Sequence, residues 1–279
     1  MSNTLKVVQP PAAELKFTGE RFVPGAGVEI TYDHWARYQF AAQFVGGKRV
    51  LDIAGGEGYG ADYLAATAAR VVAVDIDEQA VAHARRKYSG RSNLTFQRDN
   101  LSTFLAQAPA GSFDVVTAFE ILEHVDSDQQ ELLVRGIARV LAPGGVGVIS
   151  TPDKYAYSDV RISKNEFHVC ELYRPDFEAL LQRSFKHSEI YEQAAFTGTA
   201  VFSRGATEAQ IHEVEWTDLV KLKARLRSGV VANGQYMVAV VGNDPLPKGA
   251  RSDSDERNFL SVIRPESGFR LPAISTTPG

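Results

Sequence analysis

The sequence predicts an α/β protein with a seven-stranded, mostly parallel sheet, helices on both faces and an antiparallel last strand. Three observations predict it. Short apolar runs alternate with helical segments over residues 46–242, as in chains whose helices connect parallel strands. The first apolar run leads into a glycine-rich loop, residues 54–60. The second ends in acidic residues, at the edge where open parallel sheets bind their ligands.

Seven segments have the length and composition of buried strands. They cover residues 50–53, 70–74, 94–97, 113–119, 146–150, 185–193 and 236–241. Helical segments are expected between most of them. The Pro-Gly-Gly sequence at residues 143–145 is a typical signal for the end of the helix that begins near Asp128.

The chain is expected to consist of one domain with flanking segments. A mobile lead-in and a C-terminal tail enclose an aromatic-rich lid or brace and the main domain. Inside that domain we expect one long polar loop, of the kind that is usually functional, and one inserted amphipathic helix. The lead-in is residues 1–16, the lid or brace is 17–45, the main domain is 46–242 and the tail is 243–279. Within the main domain, the polar loop is residues 153–171 and the inserted helix is 206–228.

Composition restricts the classes of partner and compartment. The net charge of −4 leaves no basic excess to neutralise phosphates, so we expect no nucleic-acid partner and a small or neutral substrate. Cys170 is the only cysteine, which excludes an intrachain disulfide and a thiolate-rich zinc site. No signal sequence and no run of about 20 apolar residues is present. We therefore expect a cytoplasmic protein without a membrane span, and a homo-oligomer is possible.

The loop after the first strand has the composition of a ligand-binding loop. Gly56 and Gly58 permit positive φ and close approach of a ligand to the backbone. With Ala61 they also fit the dinucleotide fingerprint, so a nicotinamide cofactor, or a turn without a ligand, are alternatives. Asp75 ends the second strand, where a carboxylate can accept both hydroxyls of a ribose. Asp77 is better placed than Asp75 to cap the next helix.

Together, the glycine loop, the acid after strand two, Asp99-Asn100 and the Leu-Ala-Pro-Gly-Gly turn at 141–145 resemble the motifs of class I S-adenosylmethionine-dependent methyltransferases. The resemblance covers roughly residues 17–241 and implies a Rossmann-like fold with S-adenosyl-L-methionine as cofactor. It places the loop at the methionine part, Asp75 at the ribose and Asp99 at the adenine amine. The cofactor-binding residues that we assign are Asp52, Ala54, Gly56, Gly58, Asp75, Ile76, Asp99, Asn100 and Arg37.

Two of these residues carry specific expectations. Ala54 stands where the family usually has glycine, which is tolerable if its φ stays negative. Arg37 either pairs with the cofactor carboxylate or is a surface charge.

A finer resemblance is to methyltransferases of bacterial glycan and O-antigen biosynthesis. It is carried by residues 19–24, 34–38 and 165–169, although Glu166 stands where proline is usual. It implies O-methylation of a nucleotide-linked or glycan-linked sugar. The alternatives are a phenolic or quinone hydroxyl, an amino-sugar nitrogen, and a catalytically silent cofactor-binding partner.

Glu120, Glu123 and His124 have the i, i+3, i+4 spacing that places side chains on one face of a helical turn. With His168 from the long loop, this set resembles the magnesium-type site of small-RNA terminal-ribose methyltransferases and ubiquinone-pathway O-methyltransferases. It predicts that these four residues bind Mg²⁺, or Mn²⁺ or Fe²⁺, which activates the acceptor hydroxyl. Glu123, His124 and His168 are the predicted catalytic residues. In the metal-free alternative, His124 or His168 takes the proton directly.

Overall fold

The structure is a computed structural model that describes residues 28–160, 165–193 and 234–247. One seven-stranded sheet forms its centre, with the strand order β3-β2-β1-β4-β5-β7-β6. The strands are β1 (Arg49–Ile53), β2 (Arg70–Asp75), β3 (Leu94–Arg98), β4 (Phe113–Phe119), β5 (Leu141–Pro152), β6 (His187–Gln193) and β7 (Tyr236–Gly242).

In the spatial order β3-β2-β1-β4-β5, each strand is parallel to the next, and β7 is antiparallel to both β5 and β6. The predicted fold class is thereby confirmed. Chain order reverses between β1 and β4, because β1 leads outward to β2 and β3 while β4 leads to β5 on the other side. A crevice at such a reversal, beyond the carboxyl ends of the strands, is where open α/β sheets bind ligands.

Six α-helices surround this sheet within the described residues. They are α1 (Val28–Ala42), α2 (Tyr59–Ala65), α3 (Glu78–Lys87), α4 (Leu101–Gln107), α5 (Ser127–Val140) and α6 (Arg174–Gln182). Asp77 caps α3, as predicted, by accepting a hydrogen bond from the Ala80 N–H at 2.7 Å. None of the described helices is long and apolar enough to cross a membrane.

Alternate residues of each strand pack on opposite faces of the sheet. Val50 lies in the cluster that includes Leu64 of α2, and its neighbour Leu51 lies in the other, with Leu133 of α5. Helices α1, α2 and α3 cover the first face, and α4, α5 and α6 cover the second. The central strands are therefore buried on both sides, which explains their nearly continuous apolar sequences.

The Pro-Gly-Gly sequence follows the end of a helix, as expected, but is itself part of a strand. Helix α5 ends at Val140, and residues 141–145 already belong to β5. The pairing register shifts between Phe113–Leu141 and Val115–Val146, so the intervening residues form a β-bulge. A Cβ added to Gly145 would lie 2.8 Å from a backbone oxygen, which explains the small residue at this bulge.

The aromatic residues of α1 and its C-terminal extension belong to the core. Tyr38, Phe40 and Phe44 are buried, and a Cβ on Gly60 would lie only 1.9 Å from the Tyr38 ring. Any lid movement would therefore leave residues 38–44 in place. The remaining expected segments at residues 1–27, 206–228 and 248–279 lie outside the described residues.

Candidate active site at the carboxyl edge of the sheet

The loop after β1 is a tight turn that needs small residues. Gly56 and Gly58 have φ values of 52° and 88°, in the left-handed region that favours glycine. A Cβ on Gly58 would lie 2.6 Å from the ring of Phe96, and one on Gly55 would lie 2.9 Å from the carboxylate of Asp52. The loop backbone therefore packs directly against Phe96 and Asp52, and larger side chains at these two glycines would clash.

Ala54 begins this loop with a φ of 57°, so the condition of a negative φ, under which alanine is unstrained, is not met. Its N–H donates to the Val74 carbonyl of β2 at 2.9 Å, which holds the strained backbone in place. For an L-residue, the left-handed conformation costs about 1–2 kcal/mol. The loop keeps the geometry of a glycine position although alanine occupies it.

Asp75 joins the end of β2 to the glycine loop. Its Oδ2 accepts the Gly56 N–H at 2.8 Å, and its Oδ1 accepts the Asp77 N–H at 2.9 Å. Each carboxylate oxygen has a second lone pair. Asp75 therefore orients the loop with one set of lone pairs and keeps another set for hydroxyl donors.

Two further assigned residues follow β2 and β3 at the same edge. The Ile76 side chain is 63% exposed, and the half-buried Asp99 accepts a hydrogen bond from the Gln97 amide at 3.2 Å. Asn100 also caps α4, because its Oδ1 accepts the Thr103 N–H. An apolar and an acidic side chain thus stand beside Asp75.

Asp52, which was assigned to the cofactor, is fully buried. It pairs with Thr117 in the register of β1 and β4, and the Thr117 hydroxyl donates to its Oδ1 at 2.6 Å. The Tyr38 hydroxyl also donates to it, at 3.3 Å. Burial raises the pKa of Asp52 to about 7, although both hydrogen bonds oppose this change. Asp52 supports the glycine loop from beneath.

Arg37 is 1% exposed, so its interpretation as a surface charge is wrong. Its Nε donates to Gln193 at 2.9 Å, and the guanidinium lies 4.4 Å from the centre of the Tyr236 ring. Its Nη2 is 3.5 Å from Glu120. Within the described residues, Nη1 and Nη2 have no hydrogen-bond acceptor. This buried cation has donors to spare for an anionic group.

Glu120 does not share a helical face with Glu123 and His124, contrary to prediction. The short 3-10 helix after β4 begins only at Leu122. Glu120 precedes it with a left-handed φ of 51°. The Ser150 hydroxyl donates to its Oε1 at 2.7 Å, and its Oε2 faces Arg37. Its backbone turns the side chain towards these partners.

Three residues form a group that can hold a metal ion. Glu123, His124 and His168 each offer a ligand atom, and these atoms lie within 4.8 Å of one another. The Thr151 hydroxyl donates to Glu123 at 3.0 Å. Burial, with a smaller contribution from Glu120, raises the pKa of Glu123 well above its ordinary value. The protein thus gathers a buried carboxyl and two imidazoles.

The described part of the long loop is attached to this group by its backbone. The N–H groups of Val169 and Cys170 donate to the Glu123 carbonyl at 2.8 and 3.0 Å. The buried Gln130 amide donates to the carbonyls of Leu122 and Cys170 at 2.9 and 2.8 Å. His168 is brought to the site by these contacts.

Comparisons with known proteins agree with the methyltransferase resemblance of the sequence motifs. A family model described as a methyltransferase domain matches residues 50–145. The chain is 35% identical over 174 residues to a ubiquinone biosynthesis O-methyltransferase of Thiobacillus denitrificans, an alignment that covers 62% of this chain and 68% of that protein. The chain belongs to the class I S-adenosylmethionine-dependent methyltransferases.

A second relative and a solved structure of the same fold extend the comparison. This chain is 38% identical over 174 residues to a probable S-adenosylmethionine-dependent methyltransferase of Mycolicibacterium smegmatis. The alignment covers 60% of this chain and 64% of that relative, which is less than two thirds of the relative's length. The fold is shared with an S-adenosylmethionine-dependent methyltransferase from Archaeoglobus fulgidus, at a TM-score of 0.55 and 16% identity, covering 78% and 95% of the two chains.

Sequence reasoning missed residues that support the methyltransferase site. Gln130 carries no signal in the sequence. For Glu171, the only signal is its position three residues after His168, which makes it a candidate carboxylate partner of the His168 ring. Glu57 was also missed. It is buried and contacts the buried His83 at 3.2 Å. The signal for Glu57 in the sequence is the position of a charged residue between two glycines of the loop.

Proposed function

We propose that this methyltransferase transfers the methyl group of S-adenosyl-L-methionine to a hydroxyl oxygen, assisted by a divalent metal ion. The observation that carries the proposal is the convergence of Glu123, His124 and His168 beside the carboxyl edge of the sheet. An alcohol must lose its proton to become a good nucleophile. A site with a carboxyl group and two imidazoles offers that help.

The cofactor is proposed to lie along the edge from the glycine loop to β3. Asp75 has lone pairs for the ribose hydroxyls, and Ile76 and Asp99 are proposed to contact the adenine. Arg37 is proposed to bind the cofactor carboxylate, which its two acceptor-free nitrogens favour. The proposed cofactor-binding residues are thus Ala54, Gly56, Gly58, Asp75, Ile76, Asp99, Asn100 and Arg37.

The donor atoms fit a metal ion. The Nδ1 of His124 lies 3.1 Å from the Phe167 carbonyl, which favours a proton on Nδ1 and a lone pair on Nε2. Mg²⁺ prefers oxygen ligands, whereas imidazole with carboxylate suits Mn²⁺ or Fe²⁺. Because Glu120 faces Ser150 and Arg37 instead, we propose Mn²⁺ or Fe²⁺ before Mg²⁺.

The chemistry is an in-line displacement. The acceptor oxygen forms a bond to the methyl carbon while the carbon–sulfur bond breaks and its electron pair stays on sulfur. A bound dication lowers the pKa of a coordinated hydroxyl. With an ion bound, both imidazole lone pairs would be engaged, so the proton released from that hydroxyl would pass to solvent; in the metal-free alternative, His124 or His168 takes it directly.

A sugar hydroxyl is the proposed acceptor. Residues 34–38 and 165–169, which resemble glycan-biosynthesis methyltransferases, lie at α1 and in the loop that carries His168. A phenolic hydroxyl is the second candidate, because the Thiobacillus denitrificans relative is named a ubiquinone biosynthesis O-methyltransferase.

Metal dependence is tested by measuring S-adenosylhomocysteine release with nucleotide sugars, a catechol and an amino sugar. We expect chelation to abolish turnover, Mn²⁺ or Fe²⁺ to restore it, and cofactor affinity by calorimetry to remain. His124→Ala and His168→Ala should each lose turnover by at least roughly 10²-fold, together with metal affinity. The exposed His187 provides the control, so His187→Ala should behave as the unmodified protein.

Each outcome addresses a separate part of the proposal. Full turnover by protein shown to be metal-free by elemental analysis would reject the metal and leave methyl transfer. Methylation of the amino-sugar nitrogen alone would reject the hydroxyl acceptor. Release of product with the catechol but not with any sugar would select the second candidate.

A further inference from the structure

The ring of His168 is held on four sides. Its side chain is 7% exposed, and its Nδ1 lies 2.5 Å from a carboxylate oxygen of Glu171. Its Nε2 lies 2.9 Å from the side-chain amide nitrogen of Asn165. The Tyr157 ring stacks on it at 5.4 Å, and the His124 ring meets it edge-on at 5.2 Å. The imidazole has little freedom to rotate.

The hydrogen bonds assign the protons of this ring. The Phe167 N–H donates to Oδ1 of Asn165 at 3.1 Å, which identifies the other end of that amide as the donor Nδ2. Nε2 of His168 must therefore accept, and carries no proton. The proton of the neutral ring lies on Nδ1 and is donated to Glu171.

We propose that Glu171 is a positioning residue that fixes His168 in the Nδ1–H tautomer, with the lone pair of Nε2 directed into the site. The proposal rests on the proposed function of His168 as ligand or proton acceptor. The Glu171 side chain is 9% exposed, so its carboxylate interacts with the ring with little solvent between them. Carboxylates that accept from the distal nitrogen of a functional histidine orient it and increase its basicity.

Asn165 has a complementary place in this arrangement. Its amide satisfies the Nε2 lone pair, so a metal ion or an acceptor proton must displace that amide to reach the nitrogen. Glu171 has no such competitor, because its bond is on the far nitrogen. The tautomer is therefore retained while the Nε2 partner exchanges.

The tautomer is measured by ¹⁵N–¹H correlation of the imidazole groups in metal-free protein, well above the ordinary imidazole pKa of about 6.5. In the unmodified protein, His168 should show a protonated Nδ1 and an unprotonated Nε2. Because the Asn165 amide also holds Nε2 unprotonated, Glu171→Ala is made in an Asn165→Ala background, where it should shift a large share of the ring population to Nε2–H. The exposed His187 on β6 is the internal control, and its signals should not change.

Glu171→Gln separates orientation from charge. Its amide oxygen can still accept from Nδ1, so the tautomer should remain, while loss of the charge should lower metal affinity, and kcat with a responding acceptor, by roughly 10–100-fold. Cofactor affinity should stay constant. The exposed Asp128→Asn on α5 is the matched control for loss of a charge and should change nothing.

Failure of this inference differs from failure of the proposed function. If Glu171→Ala in the Asn165→Ala background keeps the tautomer of Asn165→Ala, or Glu171→Gln keeps full metal affinity, the positioning role of Glu171 is overturned. If the tautomer shifts as expected but no hydroxyl acceptor is methylated, the inference stands and the proposed function fails. If Glu171→Ala does not fold, the tautomer and metal affinity of Glu171→Gln decide alone.

Discussion

Ala54 and Glu120 are the described residues other than glycine that have a positive φ, at 57° and 51°. They follow β1 and β4 directly, so both lie at the crevice where the strand order reverses. Backbone strain of this kind persists where surrounding contacts hold it. Val74 holds the first residue, and Ser150 and Arg37 hold the second. The strain is concentrated beside the proposed cofactor and metal sites.

Ala54→Gly should increase the free energy of unfolding by up to about 1 kcal/mol. Relief of the left-handed strain exceeds the entropy that glycine adds to the unfolded chain. Urea unfolding followed by circular dichroism measures the change.

Ala106 provides the matched control for this substitution. It is exposed within α4, so Ala106→Gly should lower the unfolding free energy by about 0.5–1 kcal/mol. Equal destabilisation by both glycine variants would mean that Ala54 is not strained.

The element that organises the site is the turn after β4 together with the start of α5. The 3-10 helix Leu122–His124 presents Glu123 and His124, and the Glu123 carbonyl holds the loop that carries His168. Gln130, from the first turn of α5, connects the turn and the loop through two carbonyls. The relative position of the proposed ligands therefore depends on one buried amide.

Gln130→Ala should lower the free energy of unfolding by about 2 kcal/mol, because two buried carbonyls lose their donor and a small cavity forms. It should also increase hydrogen exchange at the Val169 and Cys170 amides, as the loop loses its attachment. Urea unfolding and exchange mass spectrometry measure these effects. The exposed neighbour Gln129 supplies the control, and Gln129→Ala should stay within about 0.5 kcal/mol of the unmodified protein. Similar effects of both variants would contradict the connecting role of Gln130.

At the scale of the whole molecule, Asp52 joins α1, β1 and β4 in the middle of the sheet. Its folded-state pKa of about 7 lies above the ordinary value of 3.8. Between these values the folded protein retains a proton that the unfolded chain releases. Stability from this residue is therefore full below about pH 4 and is lost as the pH rises towards about 7.

Asp52→Asn removes this titration. The difference in unfolding free energy, variant minus unmodified protein, should be larger at about pH 8 than at about pH 5 by on the order of 2 kcal/mol in favour of the variant. Denaturant titrations at the two pH values measure it.

Asp114 is the control for the pH dependence, because its hydrogen bonds from Arg49 lower its pKa to about 2. Asp114→Asn should therefore give the same difference at both pH values. A difference for Asp52→Asn that does not change with pH would show that Asp52 is already ionised in the folded protein at the lower pH.

The sequence by itself determined the order of strands and helices, the fold class and the residues that follow each strand. Apolar runs, caps such as Asp77 and loop glycines act over a few neighbouring positions, so their effect is readable locally. It also identified Glu123, His124 and His168, because residues that follow parallel strands or lie in a long loop meet at one edge.

Only the tertiary structure decided which of these residues face the site. The Arg37 guanidinium on α1 lies 3.5 Å from the Glu120 carboxylate and attracts it away from the other acids. Burial of Asp52 depends on Thr117 from another strand, and Ala54 takes its left-handed conformation under a hydrogen bond to β2. Glu171 and Gln130 acquire their roles in the same way. The partners of Arg37, Asp52, Ala54 and Gln130 are set by packing between distant segments, and spacing along the chain does not contain that information.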